Sequence, residues 1–273
     1  MIPAPFDYEV AGSVEEAVEL LGAREDAKLL AGGHSLLPLM KLRFARPAVL
    51  VDIGRLEELR YVRDAGDRLA IGALSRHRDL QTDPLLQEHC PIVSYTAGLV
   101  GDPQVRHRGT IGGSVAHGDP ASDLPTVLVA LDAELVVRGP GGERTVPAGE
   151  FFRGVFETAL GPQDVLAEIR VPKLGESGWS YVKFNRRAQD WATVAVAAVV
   201  NGGARIALTS MGPTPVRART AEEAFAAGGA EAAAAVADEG SDPPSDTAAT
   251  ADYRRHLARV LTRRAIEEAV SRR

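Results

Sequence analysis

Two short segments carry residue types arranged for anion chemistry: 31-AGGHS-35 and 110-TIGGS-114. In each, an apolar run ends in adjacent glycines, with a serine one or two residues further on. Glycine leaves backbone N–H groups uncovered and tolerates the left-handed torsions of phosphate-cradling turns. Taken singly, either pair also fits an ordinary structural turn. Two of them about 80 residues apart can close on one diphosphate from opposite sides, so the combination predicts a dinucleotide cofactor. The first segment offers the amides of Gly32, Gly33, His34 and Ser35 with a helix N-terminus behind them. The second adds the hydroxyls of Thr110 and Ser114 around Gly112 and Gly113. Neither matches G-x-G-x-x-G or G-x-x-x-x-G-K-[ST], which excludes a Rossmann fingerprint and a Walker loop.

A third segment, 181-YVKFNRRAQDWATV-194, gathers Lys183, Arg186, Arg187, Asp190 and Trp191 around one strand–turn–strand. It reads as a surface hairpin or as the wall of a site for a reducible ring. There a lysine would stabilise the anionic reduced form and an aromatic side chain would cover one face. Adjacent His34 and Ser35 do not make a hydrolytic dyad, because neighbouring side chains at a helix start do not converge and G-x-S-x-G is absent. His77, His89, His107, His117 and His256 lack metal-ligand spacing. Asp119 and Asp123 lie four apart with Pro120 between them, which favours a loop; Asp123 is either an acceptor for a ligand hydroxyl or an N-cap. The lone cysteine, Cys90, reads as a small buried residue at a helix end. One thiol excludes a disulfide framework, a thiolate-ligated iron–sulfur cluster and a Cys-rich zinc site.

The elements that position these residues follow from patterning. Ser13 to Glu16 is a capping box opening a helix through Leu21, with Val14, Ala17, Val18 and Leu21 on one face. Residues 28–31 form a strand into the first glycine pair, Ser35 caps a helix to about Arg43, and residues 48–52 form a buried strand. That alternation makes a small α/β lobe over about residues 1–55. A second lobe has a strand at 68–73, a short helix capped by Ser75, a helix at 91–100, a loop at 101–114 and a helix at 123–131. Strands near 133–138 and 143–147 are joined by Gly139-Pro-Gly-Gly142, and 165–171 is a strand of alternating burial. Beyond about residue 177 the chain turns β-rich at 179–185, 191–200 and 204–211, with Asn201-Gly202 as a hairpin turn. A capping box at Thr220 and Glu223 opens an Ala-rich helix. The last helix runs from Asp252 to about Arg272, with Leu257, Val260 and Leu261 on its apolar stripe. Its Arg254, Arg255, Arg259, Arg263 and Arg264 read as a solvated face, with partner docking as the alternative.

With 273 residues, 45% hydrophobic and 25% charged, the chain suits a sizeable core and two domains. A net charge of −6 argues against nucleic-acid binding. No apolar run reaches the length of a transmembrane helix, and the start has no signal-peptide pattern, so a reducing cytoplasm is expected.

The chain resembles the FAD-binding medium subunits of the molybdenum hydroxylases, of the carbon monoxide dehydrogenase and xanthine dehydrogenase type. The resemblance rests on the start MIPAPFDYEV, on AGGHSLLPLMKLR at 31–43 and on DPQVRHRGTIGGSVAHGDPASDLP at 102–125. IRVP at 169–172, the hairpin from Lys183 to Val194 and ADYRRHLARVLTRRAIEEA near the end extend it over nearly the whole chain. It implies an α+β architecture. A two-lobed FAD-binding domain of the vanillyl-alcohol-oxidase-like, PCMH-type kind would occupy 1–176, with lobes at about 1–55 and 56–176. A C-terminal antiparallel-sheet-and-helix domain would occupy 177–273.

It implies that Ala31, Gly32, Gly33, His34, Ser35 and Leu36, with Thr110, Ile111, Gly112, Gly113 and Ser114, hold the FAD pyrophosphate. Val100 would lie beside the cofactor, Asp123 would bind a ribityl or ring-edge group, Leu166 and Lys183 would flank the isoalloxazine, and Trp191 would shield one face. Many relatives carry Asn in place of Ser114, and Tyr or an aliphatic residue in place of Trp191; the second departure bears on how oxygen or another acceptor reaches the flavin. The implied role is electron transfer from a partner [2Fe–2S] small subunit through FAD to an external acceptor. A molybdopterin large subunit would complete a dimer of heterotrimers, and no catalytic or metal-binding side chain is expected in this chain. The alternatives are a self-sufficient FAD-dependent oxidase acting on a small substrate, and a non-enzymatic nucleotide-binding chain.

Overall fold

The computed structural model describes residues 2–273. Its first layer is a parallel three-stranded sheet, built by β1 (Asp7–Val10), α1 (Val14–Ala23), β2 (Ala27–Leu30), α2 (Leu36–Lys41) and β3 (Val49–Asp52). The spatial order is β1-β3-β2, with Asp7 and Ala27 both paired to Val49. Half of the expected capping box forms: Ser13 accepts from the Glu16 amide at 3.1 Å, but the Glu16 carboxylate reaches back to the Gly12 amide, at 2.6 Å, rather than to that of Ser13. Val14, Ala17 and Leu21 pack beneath it in a core shared with Val49 and Val51.

The second layer is an antiparallel five-stranded sheet of β4 (Val62–Asp64), β5 (Arg68–Gly72), β6 (Glu134–Gly139), β7 (Gly142–Pro147) and β10 (Val165–Pro172), ordered β4-β5-β10-β6-β7. Between β5 and β6 run α3 (His77–Thr82), α4 (Pro84–His89), α5 (Pro91–Gly98), α6 (Pro103–Arg108), α7 (Ile111–His117) and α8 (Asp123–Ala130). After β7 come α9 (Ala148–Phe151) and the small hairpin β8 (Phe152–Gly154) and β9 (Glu157–Thr158). Three expectations change here. The short helix is preceded by Arg76, and the Ser75 hydroxyl donates to Tyr61 O instead. The stretch expected as a loop at 101–114 holds two helices, because Asp102 and Thr110 each cap a helix start, the first with Pro103 at its first position. β10 is buried along nearly its whole length rather than alternately. It is a central strand whose two faces meet two cores: Val165 and Ala167 join the core of the first sheet, while Leu166, Ile169 and Val171 join the main one. A bulge between Leu166 and Glu168 accounts for the change of phase.

The third layer is the antiparallel sheet β11 (Gly178–Phe184), β12 (Val194–Asn201), β13 (Gly203–Thr209) and β14 (Val216–Arg217), in sequence order, followed by α10 (Arg219–Ala235) and α11 (Ala251–Ser271). Gly202 sits at φ +72° in the β12–β13 turn, which explains the Asn-Gly signal. The Thr220 capping box does not form; α10 starts one residue earlier without a side-chain cap, and Glu222 accepts from the Ile206 amide at 2.7 Å. α11 presses on β11 so closely that a Cβ on Gly178 would stand 1.8 Å from Ala269 O. Arg254, expected on a solvated face, is buried, and its guanidinium bonds Thr193 O and Asp246.

β12 explains why the layers hold together. Val194, Val196, Ala198 and Val200 face α11, whereas Ala195, Ala197 and Val199 face the main core with α8. Every residue of α8 is buried, as expected for a helix that is apolar all round. Each fully buried Leu or Val contributes about 1.5–3 kcal/mol of transfer free energy. α8 therefore fixes its first residue, Asp123, firmly between the second and third sheets. Among the described residues no helix is long and apolar enough to cross a membrane.

Candidate functional site

The chain leaves β2 at Leu30 and turns through the first glycine pair into α2. Gly33 takes φ +75°, a torsion that an L side chain disfavours. Among the described residues, none of the five amides from Gly32 to Leu36 donates to a backbone carbonyl; the first that does is Leu37, to Gly33 O at 3.0 Å. Five consecutive donors without a backbone acceptor, in a half-buried turn, are open to an anion or to water. Ser35 stands at the expected N-cap position of α2, but its torsions are already helical and its hydroxyl makes no cap bond. His34 is exposed, and Ala31, Ser35 and Leu36 are half-buried.

Residues 108–109, just before the second segment, lie directly against the first. A Cβ on Gly32 would meet Arg108 O at 2.2 Å and Gly109 Cα at 2.9 Å, so the two backbones touch where Gly32 has no side chain. The second glycine pair works differently from the first. Thr110 caps α7 by accepting from the Gly113 amide at 3.1 Å; Ser114 donates to Thr110 O, Ile111 to Ser75 O and Gly112 to Ala73 O. Those amides are spent. Gly112 is needed for close packing, since a Cβ there would lie 2.5 Å from Ala73 Cβ. Ile111 is buried in the main core. What this segment can present to a ligand is hydroxyl chemistry from Thr110 and Ser114, not a second row of amides.

A strip of polar groups leads onward from this contact. His77 donates its amide to Gly109 O at 3.0 Å, and its ring edge packs on Gly109. Burial, helped by the positive neighbours Arg106 and His34, pushes the His77 imidazole down to about 4, and its Nδ1 has no partner among the described residues. Arg106 donates to Val100 O at 3.1 Å and Gly101 O at 3.3 Å. Next comes Leu99, whose carbonyl lies 3.4 Å from Lys183 Nζ. Lys183 Nζ donates to Asp123 Oδ2 at 2.8 Å, and Tyr181 donates to Asp123 Oδ1 at 2.7 Å. Lys183 lines an open groove of 490 Å³ together with Leu99, Gly101, Arg106, Asn185 and Gln189. Burial pushes the Asp123 carboxyl above its usual range, against the opposing pull of Lys183 and Tyr181. Tyr181 is pushed well above a free phenol by burial and the neighbouring carboxylate.

Val100 is half-buried at the start of this strip, and Leu166 is buried on β10 opposite Val137. Trp191 is 59% exposed on the β11–β12 loop and lies outside the groove's lining. The basic hairpin therefore divides. Lys183 points inward, while Arg186 and Arg187 are exposed, Arg186 donating to Thr247 O at 3.1 Å. The open alternative for Asp123 also resolves: Ser122 occupies the N-cap position, and the carboxylate pairs with Lys183 and Tyr181. Sequence reasoning missed Tyr181, His77 and Arg106. For Tyr181 a signal existed, because it sits two residues before Lys183 and so shares its strand face.

The matching families divide the chain between them. The FAD binding domain in molybdopterin dehydrogenase matches residues 4–174, and the CO dehydrogenase flavoprotein C-terminal domain matches 179–269. The chain is 45% identical to the carbon monoxide dehydrogenase medium chain of Hydrogenophaga pseudoflava, covering 100% of this chain and 99% of that one. It is 38% identical to the 6-hydroxypseudooxynicotine dehydrogenase complex subunit alpha of Paenarthrobacter nicotinovorans, over 100% and 97% of the two chains. A solved structure of carbon monoxide dehydrogenase from Hydrogenophaga pseudoflava superposes with a TM-score of 0.96 at 46% identity, covering 100% of this chain and 99% of that one.

Proposed function

The chain belongs to the FAD-binding medium subunits of the molybdenum hydroxylases, a family of oxidoreductases, and we propose that it is the electron exit of such a complex. It takes electrons from a [2Fe–2S] small subunit, itself fed by a molybdopterin-bearing large subunit, and passes them to an external acceptor. The assembly is a dimer of such heterotrimers and works in the cytoplasm. FAD, when bound, supplies the redox chemistry; the side chains and amides of this chain bind it, orient it and set the charge around it.

The observation that carries this reading is the row of free amides from Gly32 to Leu36 lying against Arg108 and Gly109. Such donors fit the oxygens of a diphosphate. Ala31, one residue past the end of β2, leads into them, and Thr110 and Ser114 add hydroxyl contacts. Ile111, Gly112 and Gly113 support the contact from beneath. At the other end of the strip, Lys183 offers a cation to the ring edge with Asp123 holding it. Val100 and Leu166 contribute apolar contact, and Trp191, on the β11–β12 loop, covers a ring face. In this division of labour residues 1–176 bind the dinucleotide and residues 177–273 complete the flavin end.

Purification from the source cell with its partners tests the assignment. Two further chains, molybdenum, iron and flavin should co-purify, and the flavin should bleach under anaerobic substrate only when those chains are present. Bleaching by the isolated chain would overturn the electron-exit role in favour of a self-sufficient oxidase.

A further inference from the structure

One carboxylate, Asp123, joins two residues of β11 that lie on the same strand face, Tyr181 and Lys183. It comes from α8, so the link crosses from the second layer of the fold to the third. Asp123 is 5% exposed and Tyr181 2%. The Tyr181 hydroxyl also lies 3.4 Å from Thr209 Oγ1, which donates to Thr126 Oγ1 at 2.8 Å. The phenol oxygen thus lies against Thr209 of β13, while its proton goes to Asp123.

The geometry points to Tyr181 as a positioning residue for the flavin reaction: by occupying Asp123 Oδ1 it orients the carboxylate whose Oδ2 fixes the Lys183 ammonium at the groove wall. The physical reason is the count of donors and acceptors. An ammonium carries three N–H groups; one goes to Asp123 Oδ2 and one lies near Leu99 O, which leaves the third for the groove. A carboxylate bonded on one oxygen alone can turn about its terminal torsion, which is broad. Bonded on both oxygens and 5% exposed, it cannot turn without breaking a buried contact. Tyr181 also borders the groove, but it is 2% exposed and its hydroxyl is turned to Asp123, so its effect on the flavin runs through Lys183. The inference rests on the preceding placement of FAD beside Lys183.

The test is a double-mutant cycle on the FAD-loaded full chain, read as the midpoint potential of the flavin. Lys183→Met should lower the potential by about 30 mV, a tenfold change in a two-electron equilibrium. Tyr181→Phe, which keeps the buried ring, should lower it by about half as much and have no effect in the Lys183→Met background. 3-Fluorotyrosine at position 181 donates more strongly and keeps the volume; it should move the potential the other way and guards against a folding defect in the phenylalanine variant. A Tyr181→Phe shift that persists without Lys183, or no shift while Lys183→Met retains its own, overturns the role of Tyr181 alone. No shift in Lys183→Met overturns the placement of FAD beside Lys183, and with it this inference.

Discussion

Replacing Gly32 with alanine tests the contact on which the site depends. The new methyl carbon would stand 2.2 Å from Arg108 O, where ordinary contact begins at 3.4 Å, so the two segments must separate by about 1.2 Å. Arg108 O and Gly109 Cα are both backbone, so no rotamer change relieves the overlap. A shift of that size carries an amide from hydrogen-bonding distance to beyond it. Each bond from an amide to a charged phosphate oxygen contributes about 1.5–3 kcal/mol. Loss of one such bond weakens FAD binding by about 10- to 100-fold. The assay is titration of the FAD-free chain with FAD, followed by flavin fluorescence, alongside a melting curve to separate affinity from unfolding. Gly149→Ala is the control, because a Cβ there meets nothing within 4 Å. Binding by the Gly32→Ala chain within about twofold of the wild type would refute the reasoning, since the overlap cannot be absorbed elsewhere.

Three further outcomes are expected. His77 is neutral in the fold, at about 4 because burial opposes its charge, whereas the unfolded chain protonates it near 6.5. Its contribution is therefore complete above pH 6.5 and lost as pH falls toward 4, about 3 kcal/mol in all; His77→Gln should flatten that part of the melting-temperature profile, and an unchanged slope sinks the assignment. Trp191→Ala should leave stability within about 0.5 kcal/mol, as for other exposed side chains, yet raise flavin fluorescence and speed reoxidation by oxygen. If both flavin signals stay at wild-type values, Trp191 does not cover the ring. Loading FAD at about 100 times its dissociation constant should stabilise the chain by about 2.7 kcal/mol, in one melting transition, because α8 and β12 tie the layers into a shared core; two transitions, only one of them FAD-sensitive, would contradict that coupling.

The glycine pairs, the Asn-Gly turn and the Ser13 cap were readable because each reflects a local backbone need. Two caps read from local pattern, a lone hydroxyl at Ser75 and a capping box at Thr220, failed where tertiary partners competed. Ser75 turned to Tyr61 O, and Thr220 gave way to Glu222 bridging Ile206 and Arg217. By pattern alone 101–114 reads as a loop, although Asp102-Pro103 and Thr110 are both helix starts; α6 and α7 are only six and seven residues long, too short for periodicity to register. Burial of β10 on both faces and of Arg254 could not be read, because each depends on which layer lies opposite. At the site, Lys183 and Asp123 were nominated separately. That they hold one another, with Tyr181 as the third member, is a long-range fact spanning about 60 residues, and no local pattern encodes it.

The two glycine pairs look alike in sequence yet solve opposite problems. Gly32 and Gly33 leave amides open; Gly112 lets α7 seat on Ala73 while its own amide is consumed. An anion site needs both, because free donors hold a ligand only if the turn that carries them is braced. The brace is the 108–110 backbone, pinned in turn by the bond from the His77 amide to Gly109 O and by the Arg76–Thr110 bridge. At the far end the order of support is the same. Lys183 faces the groove, Asp123 holds Lys183, and Tyr181 holds Asp123 from within the core. At each end a ligand-facing group is fixed by a second element whose own polar groups are spent, so the cofactor's charge can be met by donors already in place rather than by ones that must be ordered on binding.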